Sequence, residues 1–243
     1  PESADAALLP SIQLGNARAD DLVRNNGIAA NAVEIHKDHI VGHMFRLSYR
    51  PNWRWLGMSE ADSHVFIEDV EAAWMEFCDP VFGSMDVEGR RSFTEFIREG
   101  VGVHTFNGEI FVQPVWDTES TSLFRTKFKT ISPKRVSTPG YGTGDRFMRA
   151  GVEINRYGKA LAYHVQEDDW PGYGVSNWTR IAATLPSGRP GMIHVFQPQE
   201  DGQTRGANQF YSVMERLKML DTLQATQLQS AVVRAMYAAT IES

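Results

Sequence analysis

Three histidines stand where a helix would bring them to one side. His36, His39 and His43 are spaced i, i+3 and i+7, and imidazoles so placed can close on a zinc ion. That chemistry would suit a metal-dependent hydrolase acting on nucleic acid. Against it, Gly42 predicts that the helix stops before His43, and no His-Glu-x-x-His pattern is present. The plainer alternative is solvent-facing or interface histidines beside Lys37 and Asp38.

The other candidates are thinner. Gly140-Tyr141-Gly142-Thr143-Gly144 is glycine-rich, but no Gly-Lys-Ser/Thr follows, so it is not a Walker phosphate cradle. Gly202-Gln203-Thr204-Arg205-Gly206 reads as the opening of a helix, whose N–H groups could hold an anion. It has no lysine for a nucleotide. Gly206 there serves a tight turn into the helix, and Arg205 pairs with a neighbouring acid. Trp53 and Trp55 flank Arg54 and would share one face of an extended segment. Such a pair could stack on the bases of a single strand, although core or subunit-interface packing explains it as well. Cys78 lies in no nucleophile signature and reads as a small apolar residue on a helix. No Gly-x-Ser-x-Gly elbow occurs. The carboxylate runs Glu68, Asp69, Glu71 and Glu167, Asp168, Asp169 read as solvated surface. No catalytic, cofactor-binding or metal-ligating residue is assigned.

Composition narrows the classes further. The 243 residues are 42% hydrophobic and 22% charged, with a net charge of −6. That is enough chain for a sizeable core in one large domain or two small ones. Proteins that grip duplex DNA neutralise phosphates and are usually basic, so a broad DNA clamp is disfavoured. One cysteine excludes an intramolecular disulfide and suits a reducing compartment. No apolar run approaches the ~18 residues of a membrane span, and no signal-peptide pattern opens the chain. Pro1 in place of methionine, and a helical pattern running into Ser243 without a stop signal, suggest a piece of a longer protein.

The elements that must position these residues alternate irregularly, which predicts an α+β fold with a mixed sheet and hairpins packed against several helices. Residues 1–15 read as an extended arm. Asn16 reads as an N-cap, with Asp20 and Asp21 following. Val23, Ile28, Ala32, Ile35 and Ile40 form an apolar face interrupted at Asn25-Asn26-Gly27, so two helices or one broken helix are expected, the second ending at Gly42. Phe45, Leu47 and Tyr49 alternate with Arg46, Ser48 and Arg50, a strand pattern. Helices are expected over 59–78, with Ser59 and Asp62 as a capping pair and Val65, Phe66, Val70, Trp74 and Phe77 as the stripe, and over 92–104. Pro80 lies past the first of these. Strands are expected at 109–116, 123–131 and 192–196, with a hairpin turning at Gly158 between 152–155 and 160–165. Residues 137–146 and 167–190 (the latter with Pro171, Gly172 and Gly174) read as loop. A long helix is expected over 207–241, with a possible break at 224–229.

The motifs in this framework resemble those of the portal proteins of lambda-like tailed bacteriophages. The marks are Arg18 with Leu22-Val23-Arg24-Asn25-Asn26, the ending Asp38…Val41-Gly42, and Phe106-Asn107-Gly108-Glu109-Ile110-Phe111-Val112. They continue with Ile131-Ser132-Pro133-Lys134-Arg135, then Gly151-Val152-Glu153-Ile154 with Gly158 and Tyr163. Ile193-His194-Val195-Phe196 and Gly202-Gln203-Thr204-Arg205-Gly206 complete the set. Each motif is short; their order and spacing, across nearly the whole chain, are specific. The signature positions Arg18, Arg24, Asn25, Gly42, Asn107, Gly108, Glu109, Pro133, Arg135, Gly158, His194, Gly202, Gln203, Arg205 and Gly206 are read as structural.

The resemblance implies a ring, typically of twelve identical subunits, at one capsid vertex. Such rings nucleate head assembly and pass double-stranded DNA inward and later outward. They hydrolyse nothing, because the terminase supplies the ATPase and nuclease. The implied partners are other copies of the chain, capsid or scaffold, terminase and neck proteins. The implied location is the virion, after assembly in the host cytoplasm, with no cofactor and no membrane. Residues 16–206 would be a wing-like domain, and residues 207–243 a long helix leading towards stem, clip and crown. An acidic subunit also suits a conduit in which DNA slides with few phosphate ion pairs.

Overall fold

A series of helices feeds two small sheets, and a long helix follows them, giving the expected α+β class. The computed structural model describes residues 2–79, 85–119, 121–140, 144–167 and 177–241, with side chains as far as residue 237. Helices are α1 (Ala4–Leu8), α2 (Ile12–Asn25), α3 (Gly27–Ile40), α4 (Glu60–Cys78), α5 (Phe93–Asn107) and α6 (Met214–Ile241). Strands are β1 (Glu109–Trp116), β2 (Thr126–Ile131), β3 (Met148–Arg149), β4 (Val152–Ile154), β5 (Ala160–Gln166), β6 (Trp178–Ala182) and β7 (Ile193–Phe196). One sheet has the order β2-β1-β7 and the other β3-β4-β5-β6. Strand pairing within both is antiparallel. Among the described residues the parallel component of the expected mixed sheet is limited to one bridge, Asp86 to Phe128.

Most helix ends are built as the sequence dictates. Asn26 separates α2 from α3, and its Oδ1 accepts from the amides of Ile28 and Ala29, both at 3.0 Å. Ser59 Oγ accepts from Asp62 N at 3.1 Å. Ser92 and Glu95 form a reciprocal capping box at the start of α5. Gly42 takes φ +66° just past α3.

The core lies where the two sheets meet: Phe111 and Ile131 from the first, Val152, Tyr163 and Val165 from the second, with Val136 and Met192. A second cluster joins Ala29 and Val33 of α3 to Phe210, with Leu22, Met214 and Leu217 against it. It fixes the base of α6.

Several expectations are corrected. The N-terminal arm is not extended: Ser3 caps α1, and a 3-10 turn at Leu9–Ser11 leads into α2. Asn16 is therefore inside a helix and 1% exposed, not a cap. Among the described residues, 44–50 pair with no strand; side chains of neighbouring helices take amides instead, Phe45 N donating to Thr94 Oγ1 and Tyr49 N to Glu71 Oε1. Val65 turns outward from α4 and is 61% exposed. The strand expected from residue 123 begins at Thr126.

Residues 137–139 are tied down rather than loose. Ser137 N donates to His164 O, Thr138 Oγ1 accepts from Gly151 N, and Pro139 is fully buried. Within the expected loop 167–190, β6 pairs along β5. The last helix starts at Met214, not near Ala207, because residues 207–213 are spent seating Phe210, and it runs to Ile241 without a break. Pro80, residues 141–143, and Asp168, Asp169, Pro171, Gly172 and Gly174 lie outside the described residues.

Candidate functional site

The strongest convergence of the singled-out residues is a buried ion pair. Asn107 ends α5, and Gly108, in the left-handed conformation at φ +79°, turns the chain straight into β1. The first strand residue, Glu109, thereby points into the interior at 0% exposure. Arg205, also at 0%, reaches it from the segment after β7. Arg205 Nη2 donates to Glu109 Oε1 at 2.6 Å, and Nε donates to Oε1 and Oε2 at 2.8 and 3.0 Å.

The remaining guanidinium donors go to three carbonyls of two further segments. Nη2 donates to Pro133 O at 3.0 Å, and Nη1 to Val136 O at 2.9 Å and to Ala150 O. An arginine has five N–H donors in a fixed fork, and here all are engaged. One side chain thus binds the first sheet, the 3-10 turn at Pro133–Arg135 and the β3–β4 turn of the second sheet. Ala150 holds φ +46°, the one positive φ among the described non-glycine residues. A conformation of that kind persists only where its surroundings over-determine it, and here it delivers a carbonyl to the guanidinium.

Glu109 is equally occupied. Oε2 accepts from Gly206 N at 2.8 Å and from His194 Nε2 at 2.9 Å. An ionised carboxylate only accepts, so Nε2 carries the proton. Burial alone would raise the Glu109 carboxyl, but the charge of Arg205 and the hydrogen bonds from His194 and Arg205 outweigh it and bring the pKa to about 2. Burial pushes His194 below its ordinary range despite the opposing pull of Glu109. The neutral imidazole lies stacked between Phe111, at 4.1 Å between centroids, and Phe196, at 4.5 Å.

Gly206 completes the junction. A Cβ there would lie 2.6 Å from Glu109 Cβ and collide with the Gly108 carbonyl. Close backbone approach, not positive φ, is what requires glycine at this position. Just upstream, Gln203 Nε2 donates to Arg205 O at 2.7 Å while its Oε1 accepts from Gln199 N at 2.7 Å, and Gly202 takes φ +73° at the turn. Arg205 does pair with an acid, as expected, although no helix opens at Gly206.

The other singled-out residues lie elsewhere. Arg18 is exposed and lines a groove with Tyr211 and Met214. Arg24 borders a cleft with Asn107, Asp20 and Lys134. Asn25 bonds Asp21 within α2, Arg135 Nε donates to Gln166 O, and Gly158 forms the β4–β5 turn at φ +81°.

Sequence reasoning missed several participants. Phe111 is stacked on His194 and lies under Arg205 at 5.3 Å. Asp5, 5% exposed, accepts from Thr204 N and Oγ1 at 2.8 and 2.6 Å and clamps α1 to the Arg205 segment. A second ion pair, buried Asp86 with half-buried Arg91, is joined by Glu99 and by Thr130 of β2. Polar residues on polar-looking stretches gave no signal of burial.

The metal candidates do not assemble. His36 Nδ1 bonds Ala32 O at 2.9 Å, and α3 ends before His43. Among the described residues no group of three His, Cys, Asp or Glu could hold a metal ion. Trp53 and Trp55 sit in a turn, not on an extended face; Arg54 covers Trp53 at 5.0 Å, and Trp55 is 84% exposed. Cys78 is half-buried, and burial pushes its thiol up to about 11, so it stays a thiol at neutral pH. Among the described residues no helix is long and apolar enough to cross a membrane.

The acceptor capacity of Glu109 and the donor capacity of Arg205 are both consumed by the protein, and what they do is join segments. The chain belongs to the lambda family of phage portal proteins, whose family model matches residues 1–243. It is 65% identical to the portal protein of Escherichia phage N15 over 242 residues, covering 100% of this chain and 46% of that protein. It is 63% identical to portal protein B of Escherichia phage lambda over 243 residues, covering 100% of this chain and 45% of that one. The chain spans about half the length of these curated relatives.

Proposed function

We propose that this chain builds the wing-like part of a portal ring subunit. The ring, of twelve copies, forms the channel through which double-stranded DNA is packaged and ejected, and it nucleates head assembly at one vertex of the virion. Assembly takes place in the host cytoplasm. Its partners are further copies of itself, capsid or scaffold, terminase and neck proteins, and it carries no catalytic step of its own. Family membership over the whole chain supports this reading.

The structural observation that carries it is α6. From Lys218 to Tyr237 every residue of that helix is exposed. Yet the twelve residues between Asp221 and Arg234 include no charge, and Met219, Leu223, Leu228, Val232, Val233 and Met236 are each about half exposed or more. An uncovered helix needs a polar surface and many ion pairs to persist in water. Among the described residues this one forms no ion pair, and half of that uncharged stretch is apolar, as expected of a helix covered within an assembly.

Sedimentation of the full-length protein at micromolar concentration tests the proposal. Assemblies many times the subunit mass are expected. A protein that remains monomeric under all packaging-like conditions would count against it.

A further inference from the structure

The arm formed by segment 44–79 has two differently charged sides. From Ser59 to Asp79 there are seven acidic residues and no lysine or arginine. The body-facing side of α4 is apolar: Phe77 meets Phe124 and Phe128, and Trp74 meets Phe93. The opposite side carries Glu68, Asp69 and Glu76 around Val65, Ala72 and Met75, all exposed and falling within one face of the helix. None of these three carboxylates has an ion pair or hydrogen bond among the described residues.

Residues 45–50 run along the body side of α4. Tyr49 N donates to Glu71 Oε1 at 2.9 Å, and its ring meets Phe66 at 6.0 Å. Leu47 and Tyr49 are half-buried; Arg46 and Arg50, alternating with them, are exposed, as is Arg54 in the following turn. None of the three guanidinium groups meets a carboxylate among the described residues. Arg46 Nε touches Met44 Sδ at 3.1 Å, and Arg54 lies over Trp53.

Unpaired cations on one side of an arm and unpaired anions on the other cannot satisfy each other within one subunit. They can across a head-to-tail contact, the kind that closes rings when its rotation permits. The dimensions match: Arg46 and Arg50 are separated by ~13 Å of extended chain, and Glu68 and Glu76 by ~12 Å of helix. We infer that the acidic outer face of α4 in one copy receives Arg46, Arg50 and Arg54 of the next copy, with exposed Trp55 seated against Val65 and Met75. This contact rests on the ring reading above and names the surfaces that make the ring. Exposed pairs are individually weak, so its main effect is to set partner and register.

Charge exchange in the full-length protein tests it. The variants R46E/R50E/R54E and E68K/D69K/E76K should each fold with the wild-type melting temperature, since among the described residues these side chains make no bonds beyond local contacts. Each alone should yield at least tenfold fewer oligomers by mass photometry. Mixing the two should restore assembly, because each variant's altered surface then meets its complement in the other. Either variant assembling alone like wild type, or a mixture that stays dispersed, overturns the inference. Normal assembly with DNA retention lost only in the arginine variant would overturn it in favour of a nucleic-acid contact. Wild-type protein that forms no oligomer would instead remove the ring reading itself.

Discussion

Arg205 and Glu109, 96 residues apart in sequence, are both wholly buried and hold each other through three hydrogen bonds. Taking two charges from water costs several kcal/mol each unless partners replace the solvent. Here the replacements are three carbonyls for the arginine, and His194 and the Gly206 amide for the glutamate.

Breaking the pair from one side should therefore be severe. Arg205→Met leaves Glu109 charged and buried, and is expected to cost about 3–5 kcal/mol. Glu109→Met strands the arginine and should cost a similar amount. The double variant E109M/R205M should lose clearly less than the sum, since removing both charges removes the uncompensated one. Denaturant melts of all three variants give the coupling. Additive losses would show that the two residues do not act as a unit.

The junction also sets an acid sensitivity. Glu109 has a folded pKa below its ordinary 4.5, at about 2, and His194 one below 6.5. For a group depressed on folding, the unfolded chain binds the extra proton, so stability is full above the unfolded pKa and falls with pH below it. His194 should begin to erode stability below pH about 6.5, and Glu109 between about 4.5 and 2. His194→Gln should flatten the decline that begins below pH about 6.5 and leave the lower step. An unchanged profile in that variant would assign the upper step to another group, such as His104, which burial also holds below its ordinary range.

Gly206→Val should destabilise by more than ~1 kcal/mol, because the added carbons collide with the backbone at Gly108 and the Glu109 side chain. In a phage the expected phenotype is fewer assembled heads. Melting temperature and yield of filled heads measure the two halves. Unchanged stability with blocked DNA passage would move this turn from architecture to translocation.

Local chemistry made much of this fold readable. Asn26, Ser59 and Ser92 announce helix ends because capping is a short-range bond between neighbours, whereas α5 runs past the expected 104 to Asn107. Strand β1 and the β4–β5 hairpin follow from alternation and from turn residues beside them. What failed was whatever depends on distant contacts. Residues 44–50 alternate like a strand, but Thr94 and Glu71 supply the acceptors that a neighbouring strand would have supplied. Helix α1 is held by Asp5 on Thr204, 199 residues away, and nothing near Asp5 forecasts it. The junction was half legible: Glu109, Pro133, His194, Arg205 and Gly206 stood in separate motifs, but only the fold brings them to one point. Phe111 and Ala150 carry no local mark of their part in it.

The most direct measurement is electron microscopy of the full-length protein, purified or released from heads. End-on views should show closed rings with a central hole wide enough for duplex DNA. Uniform small particles without a hole, at every concentration and salt tried, would contradict the account.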